Sequence, residues 1–227
     1  GNTLKYVFMS LPMKIITALI VAIILNQKLK GIHFYRTVYY IPSIFGGSVA
    51  ISILWRFLFM NGGLVNRMLN NLGLDSVPWL SSPKFSLFTL SLLSVWQFGS
   101  SMVLFLAALK QVPEDLYEAA SIDGAGQIRT FFRITLPMIT PVLFFNILMQ
   151  LVNAFQDFTG AFVITNGGPL NSTYLYALKL YDEAFKYFKM GYASALSWIL
   201  FIIILIFTTV FFRFSEAVTY YEDGGQF

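Results

Sequence analysis

Asn146, Gln150, Asn153 and Asp157 recur at i, i+4, i+7 and i+11, a spacing that places all four on one face of a helix. Amides offer both donors and acceptors, and a carboxylate adds further acceptors, so such a row can hold the hydroxyls of a polar solute. Ser94, Gln97 and Ser101 form a second row of the same character. Both rows sit in strongly apolar surroundings. In lipid they cannot face outward, so they point into a helix bundle or a wet cavity. Two readings follow for each row: the lining of a path for solute, or hydrogen-bonding glue between neighbouring helices. Asp157, near the end of its segment, has the further option of being solvated.

Other chemistries are excluded by what the chain lacks. With no cysteine there is no disulfide, thiol nucleophile or thiolate metal site. The single histidine, His33, cannot build a histidine cluster and reads as a solvated loop residue. No G-x-x-x-x-G-K-[ST] phosphate loop occurs, so ATP is not bound by that route. Gly124-Ala125-Gly126 is not a dinucleotide fingerprint, because no strand precedes it and the third glycine is missing. The net charge of +4 comes from 15 Lys and Arg scattered among apolar stretches, without a basic stripe, so no nucleic-acid partner is expected.

The elements that must position the polar rows are membrane spans. The 227 residues are 57% hydrophobic and 11% charged, against about 25% charged in a soluble domain. A span needs about 20 predominantly apolar residues, and five stretches qualify: about 4–25, 37–59, 85–109, 134–158 and 192–212. The second contains Pro42 and Gly46-Gly47, tolerated where neighbours re-satisfy the freed backbone groups. Between the spans lie a short basic loop (Lys28, Lys30, His33, Arg36), a turn-rich connection with a surface helix over 64–72, a charged segment at 110–133, and an outer segment with an amphipathic stretch over 173–188. Placing the short basic loop in the cytoplasm puts 110–133 on the same side by alternation.

That charged segment has its own grammar. Pro113 suits the first position of a helix, and Glu114 and Asp115 complement its N-terminal dipole. Leu116, Ala119 and Ala120 then give a small apolar face. Gly124 and Gly126 end the helix, a second begins near Gln127, and Pro137 is expected to bend the chain at the start of the next span. The product is a helix–turn–helix too polar for lipid, with a face another protein can approach.

Glu118-Ala119-Ala120, three residues, Gly124, nine residues, then Ile134-Thr135-Leu136-Pro137 resembles, at every position and in both spacings, the cytoplasmic loop of permease subunits of bacterial binding-protein-dependent ABC importers. More of the chain is similar to the carbohydrate branch of that family, the maltose and glycerol-3-phosphate permease type. The similar stretches are Asn26-Gln27-Lys28-Leu29-Lys30-Gly31 with Phe34-Tyr35-Arg36, Ile41-Pro42, Leu54-Trp55-Arg56-Phe57, Thr165-Asn166-Gly167-Gly168-Pro169, Ala184-Phe185 and Gly191-Tyr192-Ala193-Ser194-Ala195.

The resemblance implies an all-α polytopic bundle of the type I importer kind, a single permease domain over 1–227 with a coupling loop at about 110–136. Five spans are visible, and the family's usual further N-terminal span is expected to precede them. It implies a multi-pass protein of the bacterial inner membrane whose partners are a second related permease, a cytoplasmic ATPase dimer carrying ATP and Mg, an extracytoplasmic substrate-binding protein, lipid, and a sugar or oligosaccharide. The chain itself is then neither an enzyme nor a cofactor protein. Glu118, Ala119, Ala120, Asp123 and Gly124 are implied to contact the ATPase. Permeation of another polar solute (a polyol, phosphorylated polyol or amino acid) stays open. An ion-coupled secondary transporter would instead show repeat symmetry and discontinuous spans around an ion site. A membrane enzyme would need clustered acid–base or metal-ligating groups.

Overall fold

The computed structural model describes residues 1–27 and 31–218, and all regular structure among them is helical. Lys28, Leu29 and Lys30 of the basic loop lie outside the described residues.

The first helix, α1 (Asn2–Asn26), is the centre of the bundle and packs against three others, α5 (Pro83–Trp96), α6 (Gly99–Gln111) and α9 (Leu136–Phe155). It can do so because its inward stripe carries small residues. Ser10, Ala18 and Ala22 are fully buried, and small side chains let membrane helices approach closely where lipid supplies no hydrophobic drive. Along α1, Tyr6 and Val7 join one apolar core with Leu90, Leu93, Phe155 and Leu178. Ile15, Ala18, Ala22 and Leu25 join a second core with Met102, Phe105 and Ile139. Ser10 and Lys14 fall in the interval between the two.

The expected second span is not one helix but two, α2 (Ile32–Ile44) and α3 (Val49–Phe59), separated at Phe45–Ser48. Gly47 there has φ +72°, a left-handed conformation that glycine adopts without cost. The third span is likewise α5 and α6, bent by 47° at Gln97–Phe98. Among the described residues four stretches have the length and apolarity to cross a membrane, or five with that bent pair counted as one span. One of the four runs Val49–Asn71. It includes the Asn61-Gly62-Gly63 turn and the polar residues of α4 (Leu64–Asn71), so α2 with α3 is the physically better crossing. Helix α4 itself appears where the turn signals place it. Fully buried Asn66 pins it by donating to the Val77 carbonyl and accepting from the Val77 amide and the Trp79 indole, each at 3.0 Å.

At the loop end, α7 (Glu114–Ile122) is followed by α8 (Gln127–Thr130). That helix passes through a π-helical turn at Phe131–Thr135 into α9, giving one continuous helix from Gln127 to Phe155. The shift to a wider turn directly precedes Pro137, which has no N–H to donate. At its far end this helix stops at Phe155, earlier than the sequence pattern suggests, and the chain breaks at Gln156–Phe158. Two short helical pieces follow, Ala161–Thr165 and α10 (Tyr176–Tyr181) continuing to Lys186, and then α11 (Met190–Val218) closes the bundle.

The two broken spans cross at Gly99. A Cβ there would lie 2.7 Å from the Tyr39 carbonyl oxygen and 2.9 Å from Tyr40 Cα, both backbone. Gly99→Ala is therefore expected to destabilise the protein by about 1–3 kcal/mol, read as a lowered melting temperature in detergent. Gly126→Ala, where the added carbon meets nothing within 4 Å, should leave that temperature nearly unchanged.

Candidate functional site

The breaks in the second, third and fourth spans meet around one polar cavity of about 450 Å³. Its walls come from α1 (Ser10, Lys14), the first break (Ser43, Gly46, Gly47), the second break (Ser94, Gln97, Ser100), α9 (Gln150, Asn153) and the third break (Gln156, Asp157, Thr159). Irregular backbone at membrane depth is tolerated where it lines a wet cavity or is satisfied by protein, and both conditions hold here. The Ser43 hydroxyl donates to the Gln97 carbonyl and accepts from the Ser100 amide, each at 3.1 Å. One side chain thus serves the orphan acceptor and the orphan donor that the break between α5 and α6 creates.

The two polar rows are each divided by this geometry. Gln150, Asn153 and Asp157, with Ser94 and Gln97, line the cavity. Asn146 and Ser101 do not. Both are fully buried, with Ser101 Oγ donating to Asn146 Oδ1 at 2.9 Å and Asn146 Nδ2 donating to the Ser101 carbonyl at 3.2 Å. They act as an interhelical brace between α6 and α9, beside the cavity and turned away from it. Asp157 is also not on the helical face that its spacing implies, because α9 has already ended. It turns into the cavity from the break, and its Oδ2 accepts a hydrogen bond from the Tyr6 hydroxyl of α1.

Sequence reasoning passed over Lys14, Tyr6 and Ser43. Lys14 carried a signal: a cation in mid-span is expensive and marks a functional position by default. Tyr6 and Ser43 carried none, since tyrosine and serine are common in such segments and only the crossing of helices gives these two a role.

The loop forms a second candidate site. Pro113 is the N-cap of α7, one residue earlier than expected, with Glu114 and Asp115 in the first turn. At the other end Gly124 has φ +71°, its amide donates to the Ser121 carbonyl at 3.1 Å, and the Ala125 amide reaches back to the Ala120 carbonyl at 2.9 Å. This is a Schellman motif with glycine at its left-handed position, which explains the residue type four positions after Ala120. Glu118, Ala119, Asp123 and Gly124 are exposed, as are Ile122 and Ile128 beside them. Ala120 differs from the expectation for this group: it is buried, on the side of α7 whose Tyr117 packs on the core. Tyr117 Oη and Thr135 Oγ1 lie 3.0 Å apart, tying α7 to the base of the long helix. Among the described residues no group of His, Asp and Glu side chains is placed to hold a metal ion.

Comparison with known proteins sets these sites in a family. Residues 2–219 match the family model described as binding-protein-dependent transport system inner membrane component. The probable ABC transporter permease protein YesP of Bacillus subtilis (strain 168) is 48% identical over 224 residues, spanning 97% of this chain and 72% of that one. The sn-glycerol-3-phosphate transport system permease protein UgpA of Salmonella typhimurium is 35% identical, over 97% of this chain and 75% of its own. Among solved structures, a bacterial ABC transporter involved in import of the acidic polysaccharide alginate superposes with a TM-score of 0.85 at 23% identity, covering 96% of this chain and 78% of its own, and so attests the fold. The chain belongs to the inner-membrane permease components of binding-protein-dependent ABC transport systems.

Proposed function

We propose that this permease subunit supplies part of the translocation path for a sugar or oligosaccharide in a bacterial inner membrane, and that the loop at 110–136 couples the path to cytoplasmic ATPase subunits. The observation that carries the reading is the cavity where three helix breaks converge. Its volume of about 450 Å³ lies within the range of small-molecule sites, roughly 300–1,000 Å³. Its walls are dominated by Ser, Thr, Asn and Gln, which can exchange donors and acceptors with sugar hydroxyls. YesP and UgpA are named as transport permeases, UgpA for sn-glycerol-3-phosphate, and the alginate importer carries a polysaccharide. A polyol or phosphorylated polyol is thus the nearest alternative cargo.

Gln150, Asn153, Asp157, Ser94 and Gln97 are the path residues in this proposal, with Asn146 and Ser101 holding the wall behind them. A second, related permease covers the remaining side. Helix α2 buries none of its residues within this chain and exposes Phe34, Tyr35, Tyr39 and Ile44. An extracytoplasmic binding protein delivers the cargo at the end opposite the loop. The discontinuous spans, a feature also expected of ion-coupled transporters, do not favour that class here, because family membership accounts for them together with the loop.

At the loop, Glu114, Asp115, Glu118 and Asp123 give α7 an exposed acidic surface beside the apolar Ile122 and Ile128. Such a surface suits a groove with basic side chains on the ATPase. ATP and Mg belong to that partner. Force applied at α7 would enter the long helix through the Tyr117–Thr135 contact.

Two measurements test the two halves of the proposal. In the complete transporter, Glu118→Lys should lower uptake at least tenfold while the membrane complex still assembles; normal uptake refutes the coupling role. For the path, the natural absence of cysteine permits Gln150→Cys and Asn153→Cys to be probed with a hydrophilic thiol reagent. Both should react in a nucleotide-dependent manner. Leu148→Cys and Val152→Cys, outside the cavity lining, should react less. Equal protection at all four positions in every nucleotide state refutes the path.

A further inference from the structure

Lys14 stands in mid-α1, in the interval between the two apolar cores, and lines the cavity. The other charged residue in the lining is Asp157, whose field Lys14 feels. The two are not paired. Asp157 is engaged by the Tyr6 hydroxyl, and among the described residues no carboxylate comes within ion-pair distance of Lys14 and no acceptor takes its N–H groups. An ammonium carries three donors and no acceptor. Left alone in a membrane-embedded cavity it is costly, most of all once solute displaces the water around it.

A neutral sugar satisfies the amides and hydroxyls of the walls but gives the Lys14 ammonium no charged acceptor, and Asp157, held by Tyr6, does not reach it. A cargo bearing a carboxylate or phosphate supplies one, with a charge-assisted hydrogen bond that is roughly twice as strong as a neutral one. Asp157 then sets the orientation by repelling the same group from its own end. We infer that Lys14 is a specificity-determining residue that binds an oxyanion on the cargo, and that the transported class is acidic: a uronate-containing oligosaccharide or a phosphorylated polyol. The inference rests on the reading of this cavity as the path.

The test uses the purified transporter complex without its binding protein, so that the binding protein's own selectivity does not enter. Equilibrium binding is measured for trigalacturonate, for its fully methyl-esterified and hence uncharged form, and for glycerol-3-phosphate. The wild type should bind at least one of the two anions tenfold or more tightly than the ester, and which anion wins distinguishes a carboxylate cargo from a phosphate one. Lys14→Met, which places an apolar residue in an apolar helix, should abolish that preference, weakening the anion at least tenfold more than the ester. Lys14→Arg should retain it. A wild type without the preference, or binding none of the three probes, overturns the inference, as does a preference that survives Lys14→Met. Gln150→Leu separates this from the underlying proposal, since a path-lining amide should matter for acid and ester alike. If Gln150→Leu weakens both while Lys14→Met changes nothing, the charge assignment alone falls. If Gln150→Leu weakens neither, the path reading falls with it.

Discussion

Ser43 holds together the break in the third span. Its hydroxyl sits between Gln97 and Ser100 and satisfies the carbonyl and the amide left over where α5 gives way to α6. In hydrocarbon an unsatisfied backbone group costs several kcal/mol, which is why spans are normally unbroken. Here the break is admitted because a second broken span crosses it at close range. The absence of a Cβ at Gly99 permits that approach, and the approach brings Ser43 to the break. Once both breaks are stabilised, water-facing amides and hydroxyls collect at the same depth, and the cavity follows from the constraint.

The rest of the bundle is arranged to hold that depth open. Above and below it α1 is locked to its neighbours by separate apolar cores, one around Tyr6, Leu93 and Phe155 and the other around Ala18, Met102 and Phe105. The Asn146–Ser101 brace lies within the second packed zone, where removal of one partner would strand the other without water to replace it. A polar layer between two dry ones can lose or gain solute without dissolving the contacts that define the helices.

Mechanical continuity connects this layer to the loop. The helix from Gln127 to Phe155 is about 44 Å long at 1.5 Å per residue. It carries Thr135, in contact with Tyr117 of α7, near one end and Gln150 and Asn153 near the other. In the proposed mechanism a displacement of α7 therefore reaches the cavity wall through a single element. A π-helical turn ahead of Pro137, and Pro141 within α9, interrupt regular hydrogen bonding on that route, and π-helical turns in helices often accompany function.

The sequence by itself determined the class of the protein and the chemistry of its loop, because both rest on local properties. Apolar runs long enough to span lipid are read directly from residue order, and Glu118, Ala119, Ala120 and Gly124 form a capped helix whose hydrogen bonds join residues at most five apart. The polar rows were also visible, and their inward direction followed from the cost of facing lipid. What only the tertiary structure decided was the fate of each member. Asn146 and Gln150 are identical in periodic pattern, yet one is clamped against Ser101 and the other faces the cavity. Asp157 belongs to a break rather than to the helical face its spacing suggested. Lys14 has no neighbour in the sequence that gives it a role, and only the fold sets it in one cavity with Asp157 and Gln150. These outcomes depend on where a helix stops and which helix crosses it. That is settled by contacts between residues 45 to 151 positions apart, such as Asn146 with Ser101, Ser43 with Gln97 and Tyr6 with Asp157, and no local periodicity records them.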